Sequence, residues 1–162
     1  VGRERLDMSI RVREAELADS AALASMLSSF TGLATSAAQV EARLQRIHGL
    51  ELVLVAEVDG RLVGLGCLRC LPCLGEDGPF AELSDLFVSV ESRRLGIGEA
   101  LVHALEARAR AAGAMGWQVN VDPENEAARR LYQKLGFAQF AVAQQKWFSA
   151  ERPFRLPPAS TS

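Results

Sequence analysis

The chain has 162 residues, 49% of them apolar, which suffices for one continuous core and leaves little room for two independent modules. A formal net charge of −2 provides no global basic field and so argues against a role driven by attraction to a nucleic-acid backbone. The longest apolar runs are broken by charges well short of the ~20 residues a membrane span needs, so the chain reads as soluble and cytoplasmic, with neither membrane nor nucleic acid as a partner.

Residues 1–7 carry no apolar pattern and are set apart as a flexible terminus, leaving one domain over 8–150. Ile10 and Val12 alternate with Ser9, Arg11 and Arg13, the period-2 pattern of a half-buried first strand. Asp19 or Ser20 can cap a helix with Ala22, Leu23, Met26 and Leu27 on one face, and Ser36 can cap a second carrying Val40, Leu44 and Ile47. Between them, 28–36 is a loop of small residues containing Phe30 and Gly32. Residues 52–58 and 61–71 are strand-like and flank Asp59-Gly60, a strong two-residue hairpin turn. The turn-rich stretch 72–79 leads into a further strand over 81–90.

Cys67, Cys70 and Cys73 form a C-x2-C-x2-C run. On a strand, 67 and 70 face opposite ways and an extended 67–73 spans roughly 20 Å, so three thiolates do not converge. His48 and His103 are remote in sequence. The cysteines therefore read as buried or half-buried thiols, and no metal site is expected.

From Gly98 an amphipathic helix carries Leu101, Ala104, Leu105, Arg108 and Ala112 and stops at Gly113. A strand over 115–121 follows. Asp122-Pro123 then reads as N-cap and first turn of a helix with Ala128, Leu131, Tyr132 and Leu135 on one face, ended by Gly136. One or two strands are expected over 137–148, and 153–162 is a flexible tail. The order β, α, α, β, β, β, α, β, α, β implies a mixed sheet covered by helices.

The chemistry-bearing stretch is Arg93-Arg94-Leu95-Gly96-Ile97-Gly98, between a strand and a helix. Its glycines allow a ligand close to the backbone, the helix start offers unpaired N–H groups and a positive dipole end, and the two arginines add full charges. This suits a pyrophosphate; the plainer alternative is a strand-to-helix turn with solvated arginines. The segment lacks G-x-x-x-x-G-K-[ST], and Leu101 stands where a dinucleotide G-x-G-x-x-G would end.

Asp85-Leu86-Phe87-Val88, then Arg93-x-x-Gly96-x-Gly98, and farther on Asn125-x-x-Ala128-x-x-Leu131-Tyr132-x-x-x-Gly136-Phe137 closely resemble the two conserved blocks of the GNAT superfamily of N-acetyltransferases. The resemblance implies an α/β (α+β) fold with a central mixed, splayed sheet of about six to seven strands and about four helices. It implies acetyl-CoA as co-substrate, with its pantetheine arm on the backbone of Leu86, Phe87 and Val88. The amides of Arg94, Leu95, Gly96, Ile97, Gly98 and Glu99 would then hold the pyrophosphate, with charge from Arg93, and Asn125 would contact the arm from the other side. Tyr132, the chain's one tyrosine, matches the family's general acid, and Glu82 occupies the position of a catalytic glutamate in some members, others using a water chain.

On these expectations a primary amine of a small molecule or peptide is the acceptor, bounded by the 28–36 loop and by the turn before the fourth strand. Glu76, Asp77, Glu82 and Asp85 cluster there and favour cationic amines. Strand alternation puts Asp85 on the face opposite Glu82, which points to a structural or hydrogen-bonding role. A non-catalytic acyl-CoA-binding sensor or partner module is the alternative reading. Apolar terminal strands containing Phe140, Trp147 and Phe148 would serve a homodimer.

Overall fold

The computed structural model describes residues 9–140. Five strands form one sheet in the order β1 (Arg11–Glu14), β2 (Leu52–Val58), β3 (Arg61–Leu71), β4 (Phe80–Val88), β5 (Gly116–Val119). The first four pair antiparallel and β5 joins β4 in parallel. Helices α1 (Ser20–Thr31) and α2 (Ala37–Ile47) connect β1 to β2, α3 (Ile97–Ala111) connects β4 to β5, and α4 (Glu126–Lys134) follows β5. The expected mixed sheet with four helices is present. Residues 137–140 have no regular structure, and the rest of the expected terminal strands, with Trp147 and Phe148, lie outside the described residues, as do the two segments expected to be flexible.

The sheet separates two cores. On one face, Leu54, Ala56, Leu68, Ala81 and Leu83 pack with Ile97, Leu101, Val102 and Leu105 of α3 and with Tyr132 of α4. On the other, Val55, Leu65, Cys67 and Phe87 pack with Leu23, Ala24 and Met26 of α1 and Val40 of α2. Each fully buried Val, Leu or Ile contributes roughly 1.5–3 kcal/mol, so α3, with four such residues in the core, is the main fastening of its face. The Asp59-Gly60 turn takes φ of 49° and 74°, both left-handed, as a tight hairpin of the expected kind requires.

Two pairing irregularities break the alternation. Between β2 and β3, Ala56 opposes Gly64 while Glu57 opposes Leu62, leaving Val63 as an extra residue. Between β3 and β4, Leu68 opposes Leu83 while Cys67 opposes Asp85, leaving Ser84 as the extra residue. A β-bulge reverses the side-chain phase beyond it. Ala81, Leu83, Leu86 and Val88 accordingly all serve the α3 face. Glu82, Asp85 and Phe87 share the α1/α2 face, which corrects the expectation that Asp85 and Glu82 point opposite ways.

Two helix starts also differ from expectation. Asp19 precedes α1 but makes no side-chain cap; both its carboxylate oxygens accept from Arg13, at 2.7 and 2.9 Å. Ser20 is the first helical residue, its Oγ donating to the Leu17 carbonyl. In α4 the cap is Asn125 rather than Asp122: Asn125 Oδ1 accepts from the Ala128 N–H at 3.1 Å, while Asp122 Oδ1 accepts from the Glu124 N–H in a local turn. Ser36 caps α2 as expected, in a reciprocal box with Gln39.

Helix α3 lies against bare backbone of β3. A Cβ at Gly64 would stand 3.0 Å from the Phe87 carbonyl oxygen, 3.1 Å from Leu101 Cδ1 and 3.2 Å from Ile97 Cγ2. Because one of these atoms is backbone and the others are locked in the core, Gly64→Ala is expected to lower the unfolding free energy by ~1–3 kcal/mol. Urea denaturation of the two proteins measures it; an equal midpoint would show that α3 can shift freely.

Candidate active site

The bulge at Ser84 coincides with the point where the sheet opens. β5 accompanies β4 only from Phe80 opposite Gly116 to Leu83 opposite Val119. From Ser84 to Val88 the β5-facing edge of β4 has no strand partner among the described residues. Backbone N–H and C=O groups left on such an edge require hydrogen-bonding partners, and an extended chain of amides can supply them. Leu86, Phe87 and Val88 all lie on this stretch.

At the end of the opening, β4 turns through a short helical turn, Val90–Ser92, into the loop before α3. Arg94 and Gly96 take φ of 63° and 82°, and Gly96 precedes α3 without any side-chain cap on the helix. The first N–H groups, those of Ile97, Gly98 and Glu99, are therefore left for an anion at the positive end of the helix dipole. Arg93, Arg94, Leu95 and Gly96 are exposed, whereas Ile97 anchors the turn in the core at 1% exposure. Arg93 Nε donates to the Val88 carbonyl at 3.3 Å, which holds its positive charge beside the loop. Lys134 Nζ meets Glu99 Oε2 at 2.6 Å, tying α4 to the start of α3 and holding the Glu99 carboxyl below its usual range.

A cavity of about 130 Å³ occupies the opening itself. Ser84, Asp85 and Leu86 of β4 form one wall, residues 120–122 the other, and Phe30 of α1 reaches it from one face of the sheet. Asn125 and Tyr132 reach it from the opposite face. The side-chain oxygen of Asn125 is engaged by its cap, which leaves its NH₂ as the group able to meet a ligand. Tyr132 is 7% exposed, lies edge-on to Phe137 at 5.4 Å, and its phenol is pushed up to about 12 by burial. It therefore stays protonated throughout the physiological range. Tyr132 is both a core residue and a cavity residue, as its helical stripe suggested.

On the α1/α2 face, acidic groups gather beside the opening. The carboxylates of Glu51 and Asp85 and the Cys67 thiol lie within 4.8 Å of one another. Arg69 is the nearby cation, 3.2 Å from Glu51 and 3.5 Å from Glu82, and Ser84 Oγ donates to Glu51. Asp85 is pushed up to about 6, first by burial and then by the Glu51 charge, with Arg69 opposing. Burial, with Asp85 and Glu51, likewise raises the Cys67 thiol. Glu82 lies one step back, among the paired residues, and accepts from Asn120 at 3.4 Å.

Phe30 stacks on Phe87 at 5.3 Å, so α1 rests directly on the strand that flanks the cavity. Glu76 and Asp77 are exposed in the turn before β4. Cys67 is buried and Cys70 half-buried, as expected, but Cys73 is exposed, because it lies past the end of β3 in the turn-rich stretch. The grouping of Cys67 with two carboxylates was not foreseen. Sequence reasoning also missed Glu51, Ser84 and Arg69, which reach the site only through strand register.

A larger cavity, about 920 Å³, lies at another part of the fold, lined by residues such as Leu44, His48, Leu52 and Arg108. It holds neither the glycine-rich turn nor Tyr132. The smaller cavity is the one that lies in the opening of the sheet and borders both Asp85 and Tyr132, and size does not outweigh that chemistry.

Residues 22–137 match the acetyltransferase (GNAT) family. The chain belongs to this family. It is 38% identical over 89 residues to the mycothiol acetyltransferase of Thermobispora bispora, covering 54% of this chain and 30% of that protein. It is 33% identical over 88 residues to the mycothiol acetyltransferase of Paenarthrobacter aurescens, covering 54% of this chain and 27% of that protein. The chain thus spans less than a third of these curated relatives. Among solved structures it resembles the ribosomal-protein-alanine N-acetyltransferase of Brucella melitensis, with a TM-score of 0.75 and 24% identity over 86% of this chain and 100% of that one. At that identity the likeness is one of fold. No helix among the described residues is long and apolar enough to cross a membrane.

In this GNAT domain Asn125 fixes the start of the helix that carries Tyr132. Asn125→Ala is expected to lower the unfolding free energy by ~1 kcal/mol, and Asn125→Asp to retain most of the cap. Chemical denaturation of both variants checks this, and equal losses would remove capping as the role of Asn125.

Proposed function

We propose that this domain is an N-acetyltransferase that passes the acetyl group of acetyl-CoA directly to a primary amine of a small molecule or peptide. The observation that carries the reading is the opening between β4 and β5, with an uncapped helix start at one end and Tyr132 in its wall. The β4 edge at Leu86, Phe87 and Val88 suits the amides of the pantetheine arm. The amides of 94–99, with Arg93 and Arg94, suit the pyrophosphate. The side-chain NH₂ of Asn125 suits a carbonyl of the arm from the α4 side.

The reaction requires a neutral amine, although alkylamines titrate near ~10.4. A carboxylate on the α1/α2 face takes that proton, directly or through water; Glu82, by its strand position, is the member the family resemblance suggests. A backbone N–H near Val88 stabilises the oxyanion that forms when the amine attacks the thioester carbonyl. Tyr132 protonates the departing thiolate, whose thiol titrates near ~8.5, well below the raised phenol. On these values the transfer by itself is uphill; it is drawn forward because the acylated nitrogen carries a strongly acidic surplus proton, whose loss restores the phenol. The acidic groups of the α1/α2 face support a cationic acceptor, and the aromatic ring of Phe30 bounds its approach.

CoA release from acetyl-CoA, followed with a thiol reagent, tests this against an alanine-terminated peptide, glucosamine 6-phosphate and kanamycin, amines chosen for the names of fold neighbours. Tyr132→Phe is expected to lower kcat on the order of 10²-fold with little change in KM. Gly96→Asp is expected to abolish acetyl-CoA binding, because it sets a carboxylate at the pyrophosphate and a side chain at φ 82°. Binding without amine-driven release would identify an acyl-CoA-binding module instead, and no binding would overturn the assignment.

A further inference from the structure

We propose that Asp85, rather than Glu82, is the general base that takes the proton from the acceptor amine, an inference that rests on the acetyltransferase reading. Asp85 lines the same cavity as Tyr132, whereas Glu82 does not. The β-bulge at Ser84 carries Asp85 onto the α1/α2 face just past the start of the opening. Without the bulge, alternation would turn it into the α3 core.

The engagements of the two carboxylates differ in the same direction. Glu82 accepts from Asn120 and lies 3.5 Å from Arg69, contacts that occupy its oxygens. The carboxylate of Asp85 has no hydrogen bond or salt bridge among the described residues, so its lone pairs are free to accept a proton. Several groups face it. Glu51 stands before β2, Cys67 and Arg69 lie on β3, and Glu82 is on its own strand. Asn120 and Asp122 after β5, Asn125 and Tyr132 from α4, and uncharged Phe30 from α1 complete the cavity around it. Burial and the Glu51 charge outweigh Arg69 and leave Asp85 a stronger base than an ordinary aspartate, ionised above about pH 6.

The protons balance as follows. The Asp85 carboxylate takes one proton from the ammonium, and the neutral nitrogen forms its bond to the thioester carbonyl carbon. The C–S bond breaks and the thiolate takes the Tyr132 proton. The nitrogen's surplus proton returns through solvent to the phenolate, and Asp85 releases its own proton to solvent. One proton leaves per amide formed.

The test is the pH dependence of kcat/KM, from about pH 5 to about pH 9, with whichever of the three panel amines the natural protein acetylates. The natural protein is expected to gain activity as pH rises through about 6. Asp85→Asn should abolish that limb and lower kcat/KM by ~10²–10⁴-fold with unchanged acetyl-CoA affinity by calorimetry. Glu51→Gln, which removes a like charge, should move the limb to lower pH; Arg69→Gln, which removes the opposing charge, should move it to higher pH. Glu82→Gln should keep the limb and move it to lower pH. A limb that survives Asp85→Asn, or vanishes in Glu82→Gln, overturns the assignment while leaving the acetyltransferase reading intact. If the natural protein acetylates none of the amines, that reading fails, and the base falls with it.

Discussion

Hydrogen-bonding groups on the β4 edge have to be satisfied once β5 turns away after Leu83, and much of the site is arranged around that requirement. In a closed sheet the next residues of β5 would supply the partners. Here the edge from Ser84 to Val88 is extended, flanked by a cavity, and directed toward a loop whose backbone is shaped for an anion. The same departure of β5 opens a passage through the sheet. Groups on the α1/α2 face and groups on the α3/α4 face are otherwise separated by a layer of backbone, and only at this opening can Asp85 and Tyr132 border one space.

The opening is stable because its surroundings are firmly held. Helix α3 buries Ile97, Leu101, Val102 and Leu105 at no more than 1% exposure, against a stretch of β3 whose glycines leave space for a helix and little more. Ile97 is therefore both a core anchor and the first residue of the uncapped helix start, so packing fixes where those N–H groups point. The α4 end is held independently, by the Asn125 cap and by Lys134 against Glu99. A ligand lying between the two helices meets groups whose positions are set before it arrives, which limits the ordering cost of binding.

How much of this was legible in the sequence varied with the range of the interaction. The Asp59-Gly60 hairpin, the Ser36 cap and the strand-turn-helix around Gly96 are local, and each was legible because the residues that decide the geometry are within a few positions of one another. Asp122 misled because aspartate before proline is a good helix start by composition; the chain spends Asp122 on a turn to Glu124, and Asn125 does the capping. Asp85 misled for a different reason. Its face depends on whether Ser84 opposes a residue of β3, and nothing within β4 itself encodes the bulge; it is a property of the pairing. Glu51 and Arg69 were invisible for the same cause, since their place beside Asp85 follows from register across three strands.

The bulge also explains how one short strand borders two titratable groups of opposite character, Asp85 on the strand itself and Tyr132 of α4 packed against it. Beyond Ser84, Leu86 and Val88 continue the apolar face that buries Tyr132, while Asp85 and Phe87 continue the face where Glu51, Glu82 and Arg69 collect. Burial acts on both titratable groups, but it favours the neutral form of each, and for a phenol and a carboxyl that has different consequences. Tyr132 is pushed up to about 12 and remains a donor, whereas Asp85 is pushed up to about 6 and remains ionised at neutral pH while becoming a better acceptor. Two groups driven in the same direction thus end as an acid and a base at one pH, because their starting values lie on opposite sides of it.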